Sequence, residues 1–261
     1  MKIGIFDSGI GGLTVLHEAS KRLPDAEFLY YADLDNVPYG NKQREYVEAL
    51  TLRAVRQMLE QNVDIILLAC NTATSVAANV LREKWTLPII GMEPAVKPAV
   101  MSALDKKTLV LATELTLKES KLKHLIDRLS AHERVDLLPM QELVMFAENM
   151  IFDKKRINEL LSKKLEHLDL KAYGIVVLGC THFVFYKEEI QSYLGETIRV
   201  IDGNEGTVNQ LCRVLRGLST PPHKKGKITY MVSGRLASSE SFKGYFVKLN
   251  KPIIKDKASF L

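Results

Sequence analysis

Asp64-Ile65-Ile66-Leu67-Leu68-Ala69-Cys70-Asn71-Thr72 is a short apolar run that ends on a cysteine and opens into polar and hydroxyl residues. Tyr173-Gly174-Ile175-Val176-Val177-Leu178-Gly179-Cys180-Thr181-His182 repeats that device, its cysteine 110 residues after the first. A thiol at the carboxyl end of a buried strand lies where open α/β sheets place their chemistry. Two such thiols facing one ligand can take a proton from one side of a carbon and return one from the other.

Around these two segments, apolar β-branched runs alternate with longer stretches of helical period. The runs at 2–7, 27–32, 65–69, 88–90, 108–112, 135–138, 175–178, 199–201 and 228–232 read as strands. Helical patterns fall at 13–21, 43–61, 74–84, 117–130, 154–167 and 208–218. In the second of these Val47, Leu50, Ala54 and Met58 make one face. Strand-helix alternation along the whole chain predicts an α/β fold with mainly parallel sheets flanked by helices. Two prolines in Glu93-Pro94-Ala95-Val96-Lys97-Pro98 mark a first crossover, and Asp202-Gly203-Asn204-Glu205-Gly206 a second. The expected organisation is two α/β domains, residues 1–94 plus 208–261 and residues 95–207, with the site in the cleft between them.

Composition narrows the classes of function. The 261 residues are 46% hydrophobic and 26% charged, ordinary values for a soluble globular protein, with a net charge of +5. The basic residues scatter apart from Lys154-Lys155-Arg156, Lys163-Lys164 and Lys224-Lys225 with Lys227, and no aromatics interleave with them. That pattern suits a solvated surface and argues against a nucleic-acid partner. The start, Met1-Lys2-Ile3-Gly4-Ile5-Phe6-Asp7, meets an acid before any signal-like apolar region forms. The longest uncharged stretch, 65–81, carries Asn71, Thr72, Thr74, Ser75 and Asn79 and is too polar for a membrane span. A cytoplasmic location is expected, where three cysteines stay as thiols. Cys212, inside a helical pattern, reads as a small core filler. His17, His124, His132, His167 and His223 lie in polar, helix-like or loop contexts and are expected to be solvated.

Asp7-Ser8-Gly9-Ile10-Gly11-Gly12 follows the first strand and precedes a helix, so its backbone N–H groups can receive an anion. A dinucleotide fingerprint would need glycine where Thr14 stands, and no G-x-x-x-x-G-K-[ST] occurs. Asp7 with Ser8 instead suits a site for a carboxylate and an ammonium, the plainer alternative being a tight turn that starts a helix. Asp33-Leu34-Asp35-Asn36-Val37-Pro38-Tyr39-Gly40 is a loop at the same sheet edge, equally readable as a surface turn. Cys70 lies just before a helix expected to begin near Thr74, where a thiolate is favoured. His182 adds a group that titrates near neutrality. A lone buried cysteine would be structural, but its repetition points to chemistry. No CxxC or HxxxH gathers ligands for a metal, and a hydrolase with one nucleophile would leave the second thiol unexplained. A disulfide redox pair is disfavoured by the same absence of CxxC.

Four segments in register resemble the glutamate racemases of the cofactor-independent aspartate/glutamate racemase superfamily. They are Phe6-Asp7-Ser8-Gly9-Ile10-Gly11-Gly12-Leu13, Val37-Pro38-Tyr39-Gly40, Ala69-Cys70-Asn71-Thr72-Ala73-Thr74 and Gly179-Cys180-Thr181-His182-Phe183. The resemblance spans about residues 1–205. It implies two pseudo-symmetric α/β domains with glutamate between them and no cofactor or metal. Cys70 and Cys180 would be the acid/base pair, Asp7 assisting the first and His182 the second. Ser8, Tyr39, Gly40, Asn71, Thr72, Thr113, Thr116 and Thr181 would hold the substrate. Glu148 would be the acidic residue of the second domain, although its segment departs from the family's Cys-Pro-rich pattern. Asp202-Gly203-Asn204 also departs, from the usual Asp-Ser-Gly. The resemblance further implies a homodimer supplying D-glutamate to peptidoglycan synthesis. A racemase of aspartate or another amino acid, and a non-catalytic amino-acid-binding protein, are the alternatives.

Overall fold

The computed structural model describes residues 1–103, 105–217 and 226–249. His223, Lys224, Lys225, the last residue of the 208–218 helical pattern and the tail beyond 249 lie outside the described residues. Along the chain the first elements are β1 (Lys2–Asp7), α1 (Leu13–Arg22), β2 (Glu27–Ala32), α2 (Arg44–Leu59), β3 (Ile65–Leu68), α3 (Asn71–Lys84) and β4 (Ile89–Gly91). Next come α4 (Val96–Ser102), β5 (Lys107–Ala112), α5 (Glu114–Lys118), α6 (Ser120–Arg128), β6 (Val135–Pro139), α7 (Gln141–Glu148), α8 (Lys154–Leu165), β7 (Tyr173–Leu178), α9 (Lys187–Leu194) and β8 (Arg199–Asp202). The chain closes with α10 (Asn204–Arg216), β9 (Ile228–Val232), β10 (Arg235–Ala237) and α11 (Lys243–Lys248).

The strands form two sheets, ordered β10-β9-β2-β1-β3-β4 and β6-β5-β7-β8, and every pairing is parallel except β10 with β9. The four-strand cores β2-β1-β3-β4 and β6-β5-β7-β8 therefore share one topology. In each, the second strand goes to one side of the first and the third strand goes to the other. Such a reversal opens a crevice at the carboxyl ends of the first and third strands. The backbone repeats at those ends too. Ala69 N–H bonds to Phe6 C=O at 2.8 Å in one lobe, and Gly179 N–H to Leu111 C=O at 2.7 Å in the other. Asp33 N–H to Asp7 C=O at 3.1 Å corresponds to Met140 N–H to Ala112 C=O at 3.0 Å. Cys70 and Cys180 thus follow equivalent strands at equivalent crevices.

Several boundaries differ from the sequence expectations. The helix expected at 74–84 starts three residues earlier, because Cys70 itself is the N-cap, its sulfur accepting from Ala73 N–H. The prolines of the first crossover do not keep the helix out: α4 starts at Val96 and places Pro98 in its first turn, where a missing N–H costs nothing. The expected 117–130 helix is two helices, broken at Glu119, whose backbone is extended and whose carboxylate pairs with Arg44 at 3.5 Å. The return crossing is confined to Gly203. The expected boundary at 207/208 falls inside α10, which packs on α1 and β4. A Cβ at Gly203 would lie 2.6 Å from Glu93 C=O, so the two crossings touch.

β10 has no counterpart among the expected strands. It follows a two-residue turn with Ser233 and Gly234 both at positive φ (45° and 87°), the geometry that suits a tight hairpin. Arg235 fastens it through a bidentate pair with Asp35, both contacts 2.8 Å. His17 corrects another expectation, being buried where α1 packs between α10 and the segment after Cys180. His124, His132 and His167 are exposed, and Cys212 is half-buried against the larger apolar cluster. Among the described residues, no helix is long and apolar enough to cross a membrane.

Candidate active site

The carboxyl ends of β1 and β3 meet those of β5 and β7, and nearly every side chain at the junction is buried. Cys70 and Cys180 are both free thiols, 5% and 7% exposed. Around Cys70, Ser8 Oγ lies 3.4 Å from the sulfur and Ala73 donates its N–H at 3.4 Å. Burial, and after it the charge of Asp7, push this thiol up to about 12, while those two hydrogen bonds pull the other way. Without substrate it is a thiol.

Asp7 is completely buried, and burial lifts its carboxyl to about 6. The charge of His182, Gly9 N–H at 2.9 Å and the Thr181 hydroxyl at 3.0 Å hold the rise down. The Thr181 bond runs from one lobe to the other. On the opposite wall, His182 Nδ1 is 3.7 Å from Cys180 Sγ and Nε2 is 2.6 Å from Glu148 Oε1. Burial opposes the protonated ring. The hydrogen bonds and charges of Cys180 and Glu148 outweigh it and raise His182 well above its ordinary value. His182 is therefore an imidazolium at neutral pH, with one N–H on a carboxylate and the other aimed at sulfur.

The glycine-rich turn does cradle an anion, but the anion is the protein's own. Ile10 N–H donates to Glu148 Oε1 at 2.9 Å across the lobe boundary, while Gly9 N–H takes Asp7. The glycines are needed for this approach. A Cβ at Gly9 would fall 1.9 Å from Glu148 Oε1, and one at Gly11 would fall 2.8 Å from His182 N. Thr14, which breaks the dinucleotide pattern, accepts from Asn204 Nδ2 at 2.9 Å and so ties α1 to α10.

Further along the seam the hydroxyls of Thr72, Thr113 and Thr116 form a closed triangle of 2.9, 3.1 and 2.9 Å, one from the first lobe and two from the second. Gly40 C=O accepts Leu115 N–H at 3.0 Å, a second bridge. Asn71 Oδ1 is buried with no hydrogen-bond partner among the described residues. The structure thus gathers Asp7, Ser8, Cys70, Cys180, Thr181, His182 and Glu148 at one end. Gly40, Asn71, Thr72, Thr113 and Thr116 line the rest of the seam.

Tyr39 is buried on the loop that carries Gly40. Its hydroxyl donates to Asp33 Oδ2 at 2.7 Å and is satisfied within its own lobe. Asp33 escaped the sequence reading as a key residue. It is buried and also receives Asn36 Nδ2 at 3.0 Å and Ser233 Oγ at 2.9 Å, so it shapes the loop that carries Gly40. Its signal was its position, directly after a strand at the edge used by Asp7. Among the described residues no three His, Cys, Asp or Glu side chains converge to hold a metal ion.

Residues 14–211 match the family model for Asp/Glu/Hydantoin racemases, and the chain belongs to that family. It is 44% identical over 237 residues to a glutamate racemase of Halothermothrix orenii, covering 90% of this chain and 94% of that protein. The fold superposes on the crystal structure of glutamate racemase isoform RacE1 from Bacillus anthracis with a TM-score of 0.84 and 26% identity, covering 99% and 97% of the two chains. A third relative is the Escherichia coli glutamate racemase, solved with L-glutamate and the activator UDP-MurNAc-ala, at a TM-score of 0.79 and 29% identity over 88% of this chain and 87% of that one. The chain is an amino-acid racemase.

Two outcomes follow from this geometry. G11A sets a methyl against the backbone of His182, so kcat/KM should fall by about two orders of magnitude while the circular dichroism spectrum stays native. The raised pKa of Asp7 has a definite sign: its proton is bound more tightly in the folded state, so this stability is full below the unfolded value near 3.8 and is lost as pH rises through about 6. D7N should therefore melt higher than the wild type above pH 6, by roughly 2–3 kcal/mol at most, with the difference vanishing toward pH 4. Thermal melts across that range will check it.

Proposed function

We propose that this racemase inverts glutamate at its α-carbon by proton transfer between two thiols, Cys70 on one face and Cys180 on the other. The observation that carries the reading is the pair of buried, free thiols on equivalent strand ends of two lobes with the same topology, each with its own polar partners. Glutamate as the substrate is supported by the relatives, which are glutamate racemases, and by the Escherichia coli protein, which is solved in complex with L-glutamate.

In this reading the substrate lies in the seam with its Cα–H bond pointing at one sulfur. The attacking cysteine must be a thiolate and the other a thiol, with the roles exchanged for the opposite enantiomer. A thiol held near 12 becomes a usable base only when the substrate's ammonium lies beside it and offsets the charge of the thiolate. Asp7 is the group placed to hold that ammonium and to take a proton, and at neutral pH it is largely ionised. On the other side, the His182 imidazolium aims a donor at Cys180 Sγ and stabilises negative charge that develops there. Ser8, Asn71, Thr72, Thr113, Thr116 and Thr181 offer neutral donors to the substrate's carboxylates, which also steadies carbanion character at Cα. Glu148 holds His182 and the Ile10 N–H. Tyr39 and Gly40 hold the substrate from the loop after β2, where the Tyr39 hydroxyl donates to Asp33.

Residues 1–94, in one α/β domain with 208–261, supply one half of the site, and residues 95–207 supply the other. The product D-glutamate goes to peptidoglycan, the location is cytoplasmic and the working unit is a homodimer. The resemblance to glutamate racemases supports these last three.

The test begins with chirality. Pure protein incubated with L-glutamate should yield D-glutamate, whereas L-aspartate should be inverted far more slowly. C70A and C180A should each lower racemisation by about three orders of magnitude or more, as expected when a residue that carries a proton is removed. Full activity in either variant rules out a two-thiol relay. Binding of glutamate with no inversion in the wild type points instead to a binding protein.

A further inference from the structure

Gln141 is the first residue of α7, immediately after β6, and both polar atoms of its carboxamide are buried with no hydrogen-bond partner among the described residues. Burying an unpaired amide is costly, and folded proteins pair the large majority of such atoms. Two orphaned atoms on one side chain therefore mark a place where a partner binds.

Its neighbours say which partner. A Cβ placed on Gly40 would stand 2.3 Å from Gln141 Oε1 and 2.4 Å from Thr113 Cβ, so Gln141 sits against two residues of the proposed substrate seam. Gly40 lies on the loop after β2, and Gln141 follows β6, the strand of the second sheet that corresponds to β2. In each sheet this outer strand is separated from the cysteine-bearing strand by one strand, β1 or β5. Two strand spacings amount to about 10 Å. A substrate whose α-carbon lies between the thiols can reach Gln141 only with the far end of its side chain.

Resting on the reading of the protein as a glutamate racemase, we propose that Gln141 binds the side-chain carboxylate of the substrate and sets the chain length accepted. A carboxamide suits this role because it donates N–H to a carboxylate without adding charge. A side chain shorter by one methylene leaves the amide unpaired.

The experiment compares wild type, Q141L, Q141A and Q141E on glutamate, glutamine and aspartate, with melting temperatures for each. Q141L and Q141A should raise KM for glutamate about tenfold, the worth of one lost hydrogen bond to a charge, while kcat changes less than about threefold. Q141L should melt no lower than the wild type, because it removes two unpaired buried groups. Q141E should raise KM for glutamate further and increase the glutamine-to-glutamate activity ratio, since a carboxylate repels a carboxylate and accepts from an amide. KM for glutamate within twofold of wild type in both Q141L and Q141E overturns the role of Gln141, even if Q141L alters stability. Wild-type protein that inverts no glutamate overturns the substrate reading instead.

Discussion

A carboxylate without access to water holds the two halves of this protein in register. Asp7 is fully buried, and its two oxygens are met by the Gly9 N–H of its own lobe and the Thr181 hydroxyl of the other. An ion removed from water must find donors or lose its charge. Half of what Asp7 needs comes from across the seam, with the His182 imidazolium adding its field. Separating the lobes would strand the carboxylate or hydrate it. The glycines at 9 and 11 follow from this constraint, since any side chain there would keep Thr181, His182 and Glu148 at a distance. Glu148 bonds the same turn from the other side, so the loop after β1 is gripped by two carboxylates.

The repeated strand order explains why two thiols stand at equivalent strand ends, but the side chains around them are not copies. Cys70 caps α3 and has a serine hydroxyl and a backbone N–H on its sulfur. Cys180 precedes a 3-10 turn, and its closest polar partner is the His182 ring. A thiol pushed up by burial and a neighbouring carboxylate differs chemically from one that faces an imidazolium. The topology places the two cysteines at equivalent strand ends, while the side chains around each sulfur differ. In the proposed relay, unequal faces are compatible with a reversible reaction so long as one sulfur carries a proton when the other does not.

Much of this was legible in the sequence. The strand runs stand out because β-branched and leucine residues cluster where both faces are covered, and the structure moves their ends by only a residue or two. Cys70 and Cys180 were legible because the device occurs twice. The start of α3 was not, since a thiol is not among the usual N-cap side chains. α4 was hidden by Pro98, which reads as a breaker until it is placed in the first turn. His17 looked polar and solvated, yet Leu13, Val15 and Leu16 beside it are all buried, which shows that this helix is covered on most sides. Least legible were pairings across the seam: Glu148 with Ile10, Gly40 with Gln141, and the threonine triangle. Each depends on which loops two separate sheets bring together, and no local pattern encodes that.

Isotope transfer from solvent tests the two-thiol relay most directly. In D2O, L-glutamate should give D-glutamate that carries deuterium at Cα, because the donating thiol has exchanged with solvent. Unreacted L-glutamate recovered early should keep its hydrogen, because the proton taken by the other thiol does not return to the same face. Early deuterium in the recovered L-glutamate, at a rate matching or exceeding inversion, would contradict two separate bases and point to a single base serving both faces.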